Sequence, residues 1–332
     1  MNPGERDDSF YHLLSGIALT RLLESASDLG IMPLLAEKGA LTPEEIAKAL
    51  GLHTVRAKKW VILLERAGLL MNEEGKYRPS VLSYNTFWEE LGKESYFVRD
   101  MIGFCRRVNE LDFSAVLKGM HLPEPVRWPP RDMKAAEHLE KWMSTTAADT
   151  ICALKEGADW SGVGKMLDIG GGDATIACAL VRRHPDLHVT VFNLPASAKL
   201  ARARIDHEGL SDRVDVVEGD FFEDTLPAGF DRVIFSRVLA DWDIDPAQML
   251  IRKAHTSLKP GGTLLICEPF IDRNRDLALS WQFRYIFYDD FGAETYKFIS
   301  QYEKMLGNAG FSGCKVRDRV NDTLYGVITA TR

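Results

Sequence analysis

Hydrophobic and polar positions change period once along the chain, near residue 165. From about residue 10 to 100 the apolar residues recur mainly at helical spacing. Leu41-Thr42-Pro43-Glu44-Glu45 predicts a helix start, with Thr42 as cap, Pro43 in the first helical position and Glu45 closing a capping box. Gly51 ends that helix, and a second is expected from near Thr54 to Ala67, stopped by Gly68. Leu69-Leu70-Met71, the polar turn Asn72-Glu73-Glu74-Gly75 and Lys76-Tyr77-Arg78-Pro79 then predict a small hairpin. Two helices and a hairpin make a winged-helix pattern. Residues 100 to 160 read as mostly helical, broken by Leu122-Pro123-Glu124-Pro125 and Trp128-Pro129-Pro130.

From 165 onward short β-rich runs alternate with helical stretches of 10 to 15 residues. The runs are Met166–Ile169, Val189–Phe192, Val214–Val217, Arg232–Phe235 and Thr263–Cys267, and their alternation with helices predicts a parallel, doubly wound sheet. Two last strands, Cys314–Val320 and Thr323–Thr331, are separated only by Asn321-Asp322, a connection short enough to force an antiparallel pair. The expected fold class is therefore α/β. A winged-helix dimerisation domain over 1–100 and a helical linker over 101–160 precede a Rossmann-like domain over 161–332 that ends in an antiparallel hairpin.

A net charge of −7 argues against general affinity for nucleic acid or anionic membrane. Arg56, Lys58, Lys59 and Arg66 on the second helix raise a DNA-reading role, but the wing is acidic and Trp60, Val61, Leu63 and Leu64 offer an apolar face better suited to dimerisation. No run of 18 apolar residues spans a bilayer, and the polar first ten residues do not form a signal peptide, so a cytoplasmic location is expected. Five scattered cysteines (Cys105, Cys152, Cys178, Cys267, Cys314) without CxxC, and histidines without metal spacing, predict reduced thiols and no metal.

The chemistry concentrates after the first strand, where Met166-Leu-Asp-Ile-Gly-Gly-Gly-Asp173 leads into a helix over Thr175–Arg183. A buried strand, a loop free of Cβ atoms and a helix N-terminus make a pocket for a nucleoside-bearing ligand. Thr175 stands where the dinucleotide fingerprint needs its third glycine, and no Lys-Ser/Thr pair follows for a P-loop. A ligand with an amino-acid end, an adenosine end and no pyrophosphate fits, and S-adenosylmethionine is such a ligand. Four strand ends supply its expected contacts: Asp168, Gly170 and Gly172; Asn193 and Leu194 for the ribose; Asp220, Phe221 and Phe222 for the adenine amine and ring; Ser236 and Arg237. Taken singly, Asp220 also reads as a helix cap, Phe221 as a core ring and Asn193 as a turn residue.

These motifs continue in a recognisable order. Gly170-Gly-Gly172, Phe192-Asn-Leu-Pro195, Gly219-Asp-Phe221, Ser236-Arg-Val-Leu-Ala-Asp-Trp242, Lys259-Pro-Gly-Gly262 and Glu268-Pro269 resemble the dimeric small-molecule O-methyltransferases, a family that includes caffeate and acetylserotonin O-methyltransferases and bacterial enzymes of carotenoid, phenazine, polyketide and bacteriochlorophyll pathways. The resemblance spans nearly the whole chain. It implies a homodimer built by the N-terminal helices, cofactor contacts at Gly170, Asn193, Asp220, Phe221 and Arg237, and Met143 near the reacting methyl group.

Two departures from the family pattern matter. Most relatives are acidic where this chain has Asn193, so an amide carbonyl loses about 1 kcal/mol of charge assistance toward the ribose hydroxyls. The O-methylating relatives place a histidine before the Asp-Trp pair, whereas this chain has Ala240. A methyl group accepts no proton, and losing a general base typically forfeits about 10²–10⁴-fold in rate. Three explanations stand. The acceptor needs no strong base; or Glu268, Asp241, Glu294, Tyr288 or Asp289 takes over; or the enzyme holds the cofactor for a different reaction. The first is favoured, because methyl transfer falls largely to positioning and the bacteriochlorophyll C-methylating and phenazine N-methylating members also resemble this chain in lacking histidine here. Glu268 also reads as a strand-end carboxylate with a local hydrogen bond, and Asp241 as a cap for a helix near Pro246.

For the acceptor, Trp281, Tyr285 and Tyr288 share one helical face, with Phe283 and Ile286 turned elsewhere, and Asp289 follows. This stripe reads either as a core or dimer-facing surface or as an aromatic wall, with Trp142 and Met143 on a helix over 137–155 opposite. An apolar pocket suits a small, flat, conjugated acceptor. A cofactor-sensing winged-helix regulator is the rival from another class.

Overall fold

Met166–Ile169 is buried on both faces, and that decides where the sheet has its centre. In the computed structural model, all residues are described except 1–4, 84–87, 90–92, 95, 121–128, 288–291, 318–319 and 321–322. Trp128, Tyr288, Asp289 and the Asn321-Asp322 connection thus lie outside the described residues. The chain divides into two compact units, residues 1–118 and 119–332, so the stretch 101–160 is shared between them.

In the first unit Thr42 caps the helix Pro43–Ala49: its hydroxyl accepts from Glu45 N, and the Glu45 carboxylate accepts from Thr42 N at 2.8 Å. A helix Thr54–Arg66 follows, then strands β1 (Leu70–Glu73) and β2 (Lys76–Pro79) as an antiparallel hairpin. Val61 and Leu64 of that helix enter a core with Ile31, Met32, Leu35, Ile46 and Tyr77. Leu63, expected on the same apolar face, is 45% exposed, because it lies two positions from Val61 and so points away from it. A two-residue antiparallel pair, β3 (Trp88–Glu89) and β4 (Lys93–Glu94), follows in this unit.

The second unit is a seven-stranded sheet formed by β5 (Lys165–Ile169), β6 (His188–Asn193), β7 (Val214–Glu218), β8 (Phe230–Ser236), β9 (Leu258–Glu268), β10 (Ser312–Arg317) and β11 (Gly326–Thr331). Their order is β10-β11-β9-β8-β5-β6-β7. β7 to β9 pair in parallel through β6, β5 and β8, while β11 runs antiparallel to both β9 and β10. The last two strands pair as expected, but the final one inserts between β9 and β10. With β6 on one side of β5 and β8 on the other, the chain reverses its order at β5, and ligands sit beyond the carboxyl ends at such a point.

Side chains alternate across this sheet with period two. Leu167, Ile169, Val233, Phe235, Leu264 and Ile266 face the helices Ile244–Ser257 and Ile299–Asn308. Met166, Val189, Val191, Ile234 and Leu265 face the helices Ala147–Gly157, Thr175–Arg183 and Pro195–His207. The helix expected over 137–155 is in fact two, Met133–Thr145 and Ala147–Gly157, which break at Thr146. The second of them ends on Gly157 against β11, where an added Cβ would lie 2.7 Å from Val327 Cγ2. Gly157→Ala gains about 1 kcal/mol of helix propensity but incurs overpacking strain of about 1–3 kcal/mol. A net loss of about 1 kcal/mol in the free energy of unfolding is expected from denaturant titration. A raised midpoint would show that this contact gives way freely.

Candidate active site

Strand β5 stops at Ile169 because Gly170 (φ 73°) and Gly172 (φ 59°) take left-handed backbone, followed by Ala174 at φ 67°, before the helix Thr175–Arg183 begins. The turn must be tight, and it must also be bare. A Cβ at Gly171 would fall 2.5 Å from Asp168 Oδ2, and one at Gly172 equally close to Glu140 Oε2. Above it opens a pocket of about 890 Å³, counted to its mouth.

The pocket brings together Asp168, Gly170, Gly172, Asn193, Leu194, Asp220, Phe221, Phe222, Ser236, Arg237, Met143 and Asp241, all expected from the sequence. Asp168 is 1% exposed, and neither of its oxygens has a hydrogen-bond partner among the described residues. Burial pushes its carboxyl up to about 7, against the pull of the Arg237 guanidinium. Asn193 Oδ1 accepts from Leu194 N at 2.8 Å and its amide donates to Gly172 O at 3.3 Å, so the expected ribose acceptor is partly engaged by its own backbone. Asp220 Oδ1 accepts from Phe222 N at 3.0 Å, and Oδ2 pairs with Arg131 at 3.1 Å. Phe221, Phe222 and Trp242 meet edge to face at 4.6–6.0 Å. Arg237 holds a left-handed backbone (φ 57°) and donates to Met143 O (2.7 Å) and Thr146 Oγ1 (2.9 Å), ending the helix Met133–Thr145 on a cation.

Three expected catalytic acids separate here. Asp241 lines the pocket, accepts from the Tyr285 hydroxyl at 3.0 Å, and is raised to about 7 by burial. It does not cap the next helix, which starts at Ile244 with Asp243 at the cap position. Glu268 does not reach the pocket. It is fully buried, and its Oε1 accepts from Val238 N (2.9 Å), Leu239 N (3.0 Å) and Ala240 N (3.4 Å), so it holds the loop that carries Asp241. Burial pushes it up to about 8, with the Asp241 charge adding to the effect. Glu294 is exposed and away from the pocket lining, with its backbone N–H bound to Asp243 Oδ1.

The aromatic stripe is also displaced from the pocket lining. Trp281 and Tyr285 pack with Ala240, Ala278 and Tyr296, and Trp142 meets Trp281 edge to face at 5.0 Å. Phe283 and Ile286 point outward, as their spacing requires.

Two groups were missed by sequence reasoning. Glu140, from the helix Met133–Thr145, reaches the glycine turn, and its Oε2 accepts from Asp173 N at 3.1 Å. Lys297 is fully buried and donates to Leu239 O (2.8 Å) and Trp242 O (2.5 Å), while Gly292 N and Tyr296 N bond to Asp241 O and Ala240 O. Desolvation lowers its ammonium to about 8, against the carboxylates of Glu268 and Asp241. The loop over 238–242 is therefore gripped at its N–H groups by Glu268 and at its carbonyls by Lys297 and its neighbours.

A doubly wound sheet whose strand-end pocket opens over a bare glycine turn defines the class I methyltransferase architecture. An O-methyltransferase domain model matches residues 129–312. The chain is 30% identical over 340 residues to the L-tyrosine C(3)-methyltransferase of Streptomyces lavendulae, covering 96% of this chain and 91% of that one. It is 31% identical over 276 residues to the N,N-dimethyltransferase OxyT of Streptomyces rimosus (80% and 78% covered). Among solved structures, the apo S-adenosylmethionine-dependent methyltransferase SibL superposes with a TM-score of 0.79 at 28% identity over 98% of both chains. The chain belongs to the O-methyltransferase domain family, and it is an S-adenosylmethionine-dependent methyltransferase.

Replacing Lys297 with methionine keeps most of the volume but strips two buried carbonyls of their donor. Each loss costs about 1–3 kcal/mol. We expect Lys297→Met to lower the unfolding free energy by about 2–4 kcal/mol in urea titration. A loss under half a kcal/mol would mean that the ammonium does not hold this loop.

Proposed function

We propose that this enzyme methylates a small, flat, conjugated metabolite that is already nucleophilic, with Asp241 receiving the proton the acceptor sheds. The observation that carries this reading is a pocket carboxylate, Asp241, directly after Ala240, at the position where the family resemblance implies histidine. Asp241 faces the pocket, and burial makes it a better proton acceptor than an ordinary carboxylate. Two relatives fit this reading, being named for methyl transfer to carbon and to nitrogen, while others are named O-methyltransferases.

The residues suit the cofactor. Asp168 has two oxygens without partners, the glycine turn leaves room for backbone approach, and Phe221 offers a ring beside Asp220. In this reading Asp168, Gly170 and Gly172 take the amino-acid end, Asn193 and Leu194 the ribose, Asp220, Phe221 and Phe222 the adenine, and Ser236 and Arg237 the wall between. The cofactor supplies an electrophilic methyl group on a sulfonium. Met143 and Trp242 then shape the acceptor end, and Trp142, Trp281 and Tyr285 support it from behind, with Tyr285 orienting Asp241 through its hydroxyl. Excluding water there strengthens every electrostatic contact.

We also assign the first unit, read as a winged helix, to homodimerisation. Leu13, Leu14, Ile17 and Leu19 of its first helix are exposed in the single chain, an apolar surface that a second copy would cover. Sedimentation should give twice the chain mass.

The chemistry is tested with methyl-labelled S-adenosylmethionine and an extract of the native host. Label in a small-molecule product, with release of S-adenosylhomocysteine, is expected. With an acceptor in hand, turnover should rise from pH 6 to 8 and level off, since the Asp241 carboxylate dominates only above about 7. Asp241→Asn should reduce turnover about a hundredfold, the low end for a general base. A flat profile together with an active Asn variant would remove Asp241 from the reaction.

A further inference from the structure

Three acids line the glycine end of the pocket, Glu140, Asp168 and Asp173, and only Asp173 has a base paired with it among the described residues. Glu140 is 4% exposed and Asp168 is 1% exposed, and both line the same cavity. The two guanidinium groups nearest Glu140 direct their hydrogen bonds elsewhere. Arg237, from the end of β8, donates to Met143 O and Thr146 Oγ1 rather than to either acid. Arg204, from the helix Pro195–His207, pairs with Asp173 at 2.5 Å and with Glu208 at 3.3 Å. Asp173, in the turn itself, adds repulsion, and Ser197 contributes only a neutral hydrogen bond. Among the described residues, no ion pair joins Glu140 or Asp168 to a base.

A buried carboxylate without a cation keeps its proton. Burial accordingly raises Glu140 to about 7, with Asp173 adding to it and Ser197 and Arg237 opposing. Gly172 shows that this carboxylate belongs to the site, since a Cβ there would sit 2.5 Å from Glu140 Oε2. A ligand seated on the turn meets that oxygen.

We propose that Glu140 anchors the ammonium of the cofactor's amino-acid end, and that seating this cation expels the proton Glu140 carries in the free protein. The inference rests on the reading of the pocket as the S-adenosylmethionine site. The ammonium keeps its three protons, the carboxyl proton passes to solvent, and an ion pair forms where the free protein holds a neutral acid. Cofactor affinity then rises with pH toward the value at which Glu140 is ionised in the free protein. Glu140 is thus a binding residue whose ionisation is coupled to occupancy.

Calorimetric titration of the full chain at pH 6.5, in two buffers of different ionisation enthalpy, tests this. The ligands are S-adenosylhomocysteine, which has the ammonium, and 5′-methylthioadenosine, which lacks the amino-acid end. The wild type should release a fraction of a proton with the first and none with the second. Glu140→Gln retains an oxygen to accept from Asp173 N, and its thermal midpoint reports whether it is folded. It should bind S-adenosylhomocysteine roughly 10- to 100-fold more weakly, release fewer protons, and bind 5′-methylthioadenosine within about twofold of wild type. Equal affinity for S-adenosylhomocysteine, undiminished proton release, or parallel loss of both ligands would overturn the assignment. A wild type that binds neither ligand would instead remove the cofactor reading beneath it.

Discussion

The structure depends on an unpaired carboxylate at the end of β5. Asp168 lies in the central strand of the sheet, 1% exposed, in a place where an apolar side chain would fold more stably. Its oxygens can be approached only because the next residues have no Cβ, and those residues can turn so sharply only because two of them are glycines in left-handed backbone. Strand, acid and bare turn form one device, and the helices on that face of the sheet are arranged around it. Folding stability is set aside there, and on the reading proposed above the ligand's amino-acid end is what the unpaired acid awaits.

The opposite end of the pocket solves a different problem. The loop over 238–242 has no regular structure beyond a single 3₁₀ turn, yet it must hold Asp241 and Trp242 against the cavity. Buried backbone polar groups need partners. Glu268 supplies acceptors and Lys297 supplies donors, one from the end of β9 and the other from the segment before the last long helix. Burying such groups is expensive unless hydrogen bonds satisfy them; the loop backbone occupies the Lys297 ammonium and Oε1 of Glu268, while Oε2 of Glu268 has no partner among the described residues. Ala240, held between these two groups, is 4% exposed.

Sequence patterning made part of this legible. The capping box at Thr42, the strand–glycine–helix junction at 166–175 and the run of strand-end polar residues are local, and local chemistry is what periodicity and small residues encode. The role of Glu268 was harder to read, though its signal existed. It shares strand parity with Leu264 and Ile266, which face the core, so its side chain points beneath the loop rather than into the pocket. Glu140 had no such signal. Within His138-Leu139-Glu140-Lys141 it reads as part of a solvated helix face, and only the packing of that helix on the glycine turn buries it. Lys297 is hidden for the same reason, since a lone lysine between two aromatic residues does not announce two carbonyls far away in sequence. The insertion of β11 between β9 and β10 is a tertiary choice that the hairpin pattern left open.

The two ends of the pocket differ in what can vary. At the end proposed for the cofactor the lining comes from backbone turns and strand termini, which belong to the sheet itself. At the proposed acceptor end it comes from helices and a loop whose side chains contact one another: Tyr285 bonds Asp241 and stacks on Tyr296, and Trp142 meets Trp281. Substituting one of these reshapes the space offered to an acceptor without disturbing the sheet. That separation explains how relatives of about 30% identity name carbon and nitrogen as their methylated atoms while sharing one architecture. Retaining the fold constrains the donor, and the acceptor is left to the few side chains that the sheet does not need.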